Sequence, residues 1–128
     1  MQFRLKTSKD TMDILKQLQI NTNLTPNILA RLAISLSLLL EEPIENFESD
    51  TNGLEFNRNT LTGTQDFAYK AIIAQQLGRP ISDEEYFPTL IKKHLDRGAK
   101  LLENEYKYAG NYEKFIKSLA NFELEMVR

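Results

Sequence analysis

The sequence predicts a mainly α-helical single domain, residues 1–128, that opens on one short β-strand and two helices. Three or four further helices complete it. Three observations carry this expectation. The opening "QFRLKT" alternates polar and apolar residues, the period of a half-buried strand. From Ser8 onward apolar residues recur at helical spacing, with start signals at Ser8, Thr25 and Ser82 and stop signals at Pro43, Gly78 and Gly110. The 128 residues suit one core, and no repeat or low-complexity segment divides them.

In the strand, Phe3 and Leu5 can face a core while Gln2, Arg4 and Lys6 face water. Ser8 then caps a helix over about 9–20, with Asp10 in the first turn, where the helix dipole favours a negative charge. Ile14, Leu15 and Leu18 make its apolar stripe. "LTPNILARLAISLSLLL" is the second helix. Thr25 caps it, and Pro26 takes the first helical position, where its missing N–H costs nothing. Asn27, Arg31 and Ser35 are spaced i, i+4, i+8 and form one polar stripe. Leucines cover most of the remaining circumference, so this helix is buried on most sides, within the domain or against another subunit. Arg31, on the polar stripe, reads as a structural residue that binds a carbonyl or an acid.

An acidic loop is expected over about 41–53, and residues 41–63 are mostly irregular, with Gly53 and Gly63 as turn points. "LEFNRNTL" supplies a short extended piece. Its Arg58 lies between Phe56 and Leu61 with acids close by, and reads as a structural tether for this segment. "TQDFAYKAIIAQQLG" is a helix capped by Thr64 and ended by Gly78. Ser82 and Glu85 have the spacing of a capping box. Pro88 kinks this segment or starts a fresh helix. Leu90, Ile91, Leu95, Leu101 and Leu102 line the next helix, and "NYEKFIKSLANFELE" forms a final amphipathic one.

The formal net charge is −2, but it is unevenly spread. Residues 41–50 hold five of the 18 acids and no base, leaving 13 acids against all 16 bases elsewhere. Two basic groups stand out as candidate phosphate contacts: Arg4, Lys6, Lys9 and Lys16 near the N-terminus, and Lys93, Arg97 and Lys100 at i, i+4, i+7 on one later helix. Lys92 adds to the second group.

Catalytic chemistry has little to draw on. There is no cysteine, which removes disulfides, thiol catalysis and Cys-based zinc, and fits a reducing cytoplasm. The lone histidine, His94, has Asp96 and Glu103 nearby at no metal-ligand spacing, and reads as a surface or packed histidine. Ser35 and Ser37 have no base near in sequence. "GTQD" lacks the lysine and spacing of a phosphate loop. No catalytic residue, metal or cofactor is therefore expected. A secretory signal is not visible, and the run Ala33–Leu40 is too short to span a bilayer. The expected location is the cytoplasm, away from membranes.

Three segments in order carry a family resemblance: "LKQLQINTNLTPNILARLAISLSL" (15–38), "LEFNRNTLTG" (54–63) with Asp66, Tyr69 and Ala71 after it, and "HLDRGAKLL" (94–102), a His-x-x-Arg-Gly segment. The chain resembles the DNA sulfur modification protein DndE family, accessory proteins of DNA phosphorothioation. The resemblance implies a largely helical protein, oligomeric in some members. It would act beside the enzymes that exchange a non-bridging phosphate oxygen for sulfur, and bind DNA, nicked duplex by preference, through surface lysines and arginines. Lys16 matches the family's basic cluster. After it "QLQINTN" departs, with Asn21 and Asn23 where the pattern has an arginine before a Thr-Gly turn. The expected function is a non-catalytic DNA-binding or scaffolding subunit of the phosphorothioation machinery, partnered by DNA and by other proteins of that machinery. The same residues allow two rival readings. A ribbon-helix-helix-like regulator would put Arg4 and Lys6, with Gln2 beside them, into the major groove from a strand-paired dimer. A weak nickase would need a compact acidic metal site.

Overall fold

The computed structural model describes residues 3–127. Gln2, expected in the strand, lies outside them. The element order is β1 (Arg4–Lys6), α1 (Lys9–Thr22), α2 (Pro26–Leu38), β2 (Glu55–Asn57), α3 (Arg58–Leu61), α4 (Asp66–Leu77), α5 (Asp83–Glu85), a π-helical stretch Tyr86–Ile91, α6 (Lys92–Ala109) and α7 (Tyr112–Val127). The fold is mainly helical with a two-stranded antiparallel ribbon, in which Arg4, Leu5 and Lys6 sit opposite Asn57, Phe56 and Glu55. Leu5 and Phe56 face inward as the alternation requires.

Local signals set the helix ends. Ser8 Oγ accepts the Thr11 N–H and Thr25 Oγ1 accepts the Ile28 N–H, with Pro26 in the first turn of α2. α1 ends on Asn23 at φ 60°, whose N–H reaches Gln19 O. Asn tolerates the left-handed region better than any bulky residue. Gly78 and Gly110 end α4 and α6 the same way.

Two expectations are corrected. Thr64 does not cap α4, because Gly63–Gln65 forms a 3-10 turn leading into Asp66. The chain also does not restart at Pro88. A proline in an α-helix lacks the N–H and its ring meets the carbonyl four residues back. The π-helical stretch widens the turn there and runs on into α6 without a new side-chain cap. Ser82 Oγ does accept the Glu85 N–H, but the Glu85 carboxylate goes to Arg79 rather than back to the cap.

α2 and α6 cross at the centre. α2 buries Leu29, Ala30, Ala33, Ile34 and Leu36, while α6 buries Leu95, Ala99 and Leu102. α1 adds Ile14, Leu15 and Leu18, and the π-helical stretch adds Tyr86, Phe87 and Ile91. Each large apolar side chain among them contributes about 1.5–3 kcal/mol by leaving water. α7 joins through Phe115, fully buried and edge-on to Tyr106 at 5.3 Å. Among the described residues no helix is long and apolar enough to cross a membrane.

Candidate nucleic-acid interface

The expected basic residues divide into those that remain in water and those that hold the fold. Arg4 and Lys6 are exposed on β1. Glu55 on β2 faces Lys6 and lies 3.5 Å from the Arg4 guanidinium, an exposed pair of small net effect. Lys9 and Lys16 are exposed on α1. Seven residues apart, they lie on one side of that helix. Lys100 comes from α6 to this region, its Nζ 4.0 Å from Asp10 of α1. Lys100 thus sits among acids, with Asp13 and Glu103 beside the same hollow, while Arg4, Lys6, Lys9 and Lys16 are exposed on β1 and α1.

Lys93 and Arg97 are instead tied to protein groups. Lys93 Nζ donates to Glu45 O at 2.6 Å. Arg97 donates from Nε to Ser37 Oγ at 2.8 Å, from Nη2 to Ser37 O at 2.8 Å and from Nη1 to Glu42 O at 2.9 Å. It therefore caps the last turn of α2, where carbonyls lack helical partners and the dipole favours a cation. Burial pushes its guanidinium below its ordinary pKa, opposed by the charge of Glu42. The i, i+4, i+7 spacing puts the three residues along one helix, but the loop and the end of α2 take up two of them.

The His-x-x-Arg-Gly segment acts as one packing device. His94, Arg97 and Gly98 all address α2: His94 Nδ1 lies 2.8 Å from Ser37 Oγ, Arg97 caps the helix end, and Gly98 meets Ala33. Because Arg97 donates to Ser37 Oγ, the serine proton is free for Nδ1 of His94. Ser37 does acquire a base that its sequence neighbourhood lacks, yet both residues are fully buried. They reach no solvent-borne substrate, and the pair reads as packing.

Burial, reinforced by the charge of Arg97, pushes the His94 imidazole down to about 3 from its ordinary 6.5. The folded state thus binds this proton more weakly than the unfolded chain does. Its contribution to stability is complete above pH 6.5, falls by about 1.4 kcal/mol per pH unit below that, and is gone by about pH 3. His94 is the only histidine, so the slope can be assigned. Urea unfolding at pH 6.5 and pH 5 should differ by about 2 kcal/mol, and a flat profile would contradict a buried neutral His94.

Arg58 and Arg31 both bind protein groups. Arg58 forks onto Asp66, with Nε 3.1 Å from Oδ1 and Nη2 2.7 Å from Oδ2, and reaches Asp83 at 3.1 Å. Its guanidinium also lies 5.5 Å from the Phe3 ring centre and 5.1 Å from that of Tyr86. The acid nearest in sequence, Glu55, pairs with Arg4 instead. Burial would raise the Asp66 carboxyl, but hydrogen bonds from Arg58, Thr62 and Tyr86 outweigh it and hold the carboxyl below the usual range. Arg31 donates to Thr60 O at 3.3 Å and Leu61 O at 3.2 Å, tying α2 to the end of α3.

A hub that sequence reasoning missed lies under the start of α1. Asp96 accepts the Ser8 N–H at 3.0 Å, the Thr11 hydroxyl at 2.7 Å, the Ser49 hydroxyl, and the Lys92 ammonium at 2.6 Å. Its side chain is 1% exposed and that of Lys92 11%. The i, i+4 spacing of the pair was the available signal. Nothing in the sequence said that it would be buried.

The family model of the DNA sulphur modification protein DndE matches residues 4–110. The crystal structure of DndE from Escherichia coli B7A, involved in DNA phosphorothioation modification, is 26% identical with a TM-score of 0.62, over 75% of this chain and 93% of that one. A double glycine-to-lysine mutant of DndE involved in DNA phosphorothioation is 24% identical with a TM-score of 0.61, over 77% of this chain and 94% of that one. That second likeness bears on the fold. No curated protein sequence matches the chain.

Proposed function

The chain belongs to the DndE family, involved in DNA phosphorothioation, and from that premise we propose that it is a non-catalytic DNA-binding and scaffolding subunit of that machinery. It works in the cytoplasm and favours nicked duplex. The observation that carries the DNA half is the separation of the bases: Arg58, Lys92 and Arg97 are bound to protein groups, whereas Lys6, Lys9 and Lys16 extend into water. Arg4 and Lys100 are exposed as well, each beside an acid. Arg97 and Lys93 leave the proposed interface, since engaging phosphate would detach them from the end of α2 and from the acidic loop.

A surface of three to five bases predicts modest affinity with marked salt dependence, a log–log slope of roughly −3 to −5. Replacing Lys9 and Lys16 by alanine should weaken binding to nicked duplex about tenfold at low salt and flatten that slope by roughly two. Both side chains are exposed, so folding should be unaffected. Fluorescence anisotropy with a labelled nicked duplex reads both effects. Unchanged affinity would remove α1 from the interface.

The regulator reading is less favoured. β1 already pairs with β2 inside the chain, and Glu55 stands opposite Lys6. A strand-paired dimer would have to form on the other edge of β1.

A further inference from the structure

The acidic loop is left unused by a DNA-facing surface, since clustered carboxylates repel phosphate. We propose that the groove beside this loop docks a basic, apolar-anchored segment of a partner protein. The inference builds on the scaffolding half of the proposed function and is independent of the DNA half.

The groove, about 400 Å³, lies between the end of α2, the loop and the end of α4. Leu39, Leu40, Ile44 and Leu77 supply apolar walls, and Glu41, Glu42 and Glu45 form the rim. Ile44 is 4% exposed and pins the loop to the core, while Leu39 is 38% exposed. Gln76 Nε2 donates to Leu38 O at 2.8 Å and fixes α4 against α2. From Gln76 the same face of α4 runs back through Ile72 and Ala68 in steps of four. Ile72 is 40% exposed. The groove therefore has one further exposed apolar side chain, Ile72, beside its α4 edge.

Charge complementarity identifies the occupant. Residues 41–50 carry five acids and no base. Three cations approach the rim, but among the described residues none lies within ion-pair distance of Glu41 or Glu42. Arg79 holds Glu85 at 2.6 Å and only reaches Glu45 at 3.5 Å, Lys93 is on the Glu45 carbonyl, and Arg97 is on Ser37 and the Glu42 carbonyl. Glu41 and Glu42 stay exposed. A segment with leucine-like side chains toward the groove and lysine or arginine toward the rim satisfies both features. An acidic helix would meet like charge, and a purely polar basic tail would leave Leu39 wet.

The probe is a labelled amphipathic Leu/Lys peptide titrated into the full-length protein by fluorescence anisotropy. Leu/Glu and Lys/Ser peptides of equal length serve as comparisons. The expected result is saturable binding of the Leu/Lys peptide alone. Leu39→Ser should weaken it about tenfold, and Glu41→Lys with Glu42→Lys should weaken it about as much at low salt. All of these sites are exposed, and an unchanged circular dichroism spectrum checks that the variants fold. Equal binding of either comparison peptide overturns the inference, as does binding unaffected by Leu39→Ser. Self-association that Leu39→Ser abolishes assigns the groove to a second copy and also overturns it. The Leu39→Ser variant, which leaves the charge unchanged, should bind nicked duplex as the unmodified protein does. Peptide binding retained while no form binds DNA contradicts the DNA reading alone and supports this one.

Discussion

Gly98→Ala is expected to destabilise the protein by about 3 kcal/mol or more, a large share of a small domain's total stability. Two effects of opposite sign compete. Within a helix, alanine is favoured over glycine by about 1 kcal/mol. At Gly98, however, an added Cβ would overlap the carbonyl carbon and oxygen of Ala33. Those are backbone atoms of the central helix and cannot rotate aside, so α2 and α6 would have to separate. Separation would also lengthen the bonds from Arg97 and His94 to Ser37, one turn along α2. The clash therefore outweighs the propensity. Urea denaturation of the variant against the unmodified protein measures it. Equal or greater stability would show that the helices do not approach this closely.

Asp96→Ala should cost about 3–5 kcal/mol, the scale for removing one partner of a buried ion pair. The loss goes beyond the pair itself. The Lys92 ammonium, on a side chain only 11% exposed, would keep Ser49 Oγ and Asp50 O as its remaining partners. The Ser8 N–H and the Thr11 hydroxyl would lose their acceptor where α1 begins. Lys92→Met in the same chain should recover much of the loss, because it removes the stranded charge. If the single variant unfolds during purification, the double variant still reports the coupling through its own denaturation midpoint. No recovery would mean that the helix-cap bonds, not the ion pair, set the cost.

Both residues mark the boundary of what the sequence made legible. Ser8, Thr25 and Pro26 were readable because a cap acts within three residues of itself, and the inward face of Leu5 because a strand's period is two. The burial of α2 followed from its apolar circumference. Asp96, by contrast, gathers Ser8, Thr11 and Ser49 from two distant segments, besides Lys92 on its own helix. In sequence it looked like one acid on a wet basic helix. Arg97 was misleading for the same reason: its spacing from Lys93 and Lys100 is real, but the end of α2, about 60 residues earlier, supplies its partners. The π-helical stretch at Pro88 lay beyond rules that treat proline as a kink or a start. Lys9 and Lys16 kept their expected exposure because helical periodicity alone determines which side of α1 they occupy.

The most direct test of the proposed function compares nicked and intact duplex of one sequence, titrated with the unmodified protein at low and near-physiological salt. Tighter binding to the nicked form, weakening steeply with salt, is the predicted result. Equal and negligible binding to both at low salt would contradict DNA binding and leave the protein as a scaffold alone.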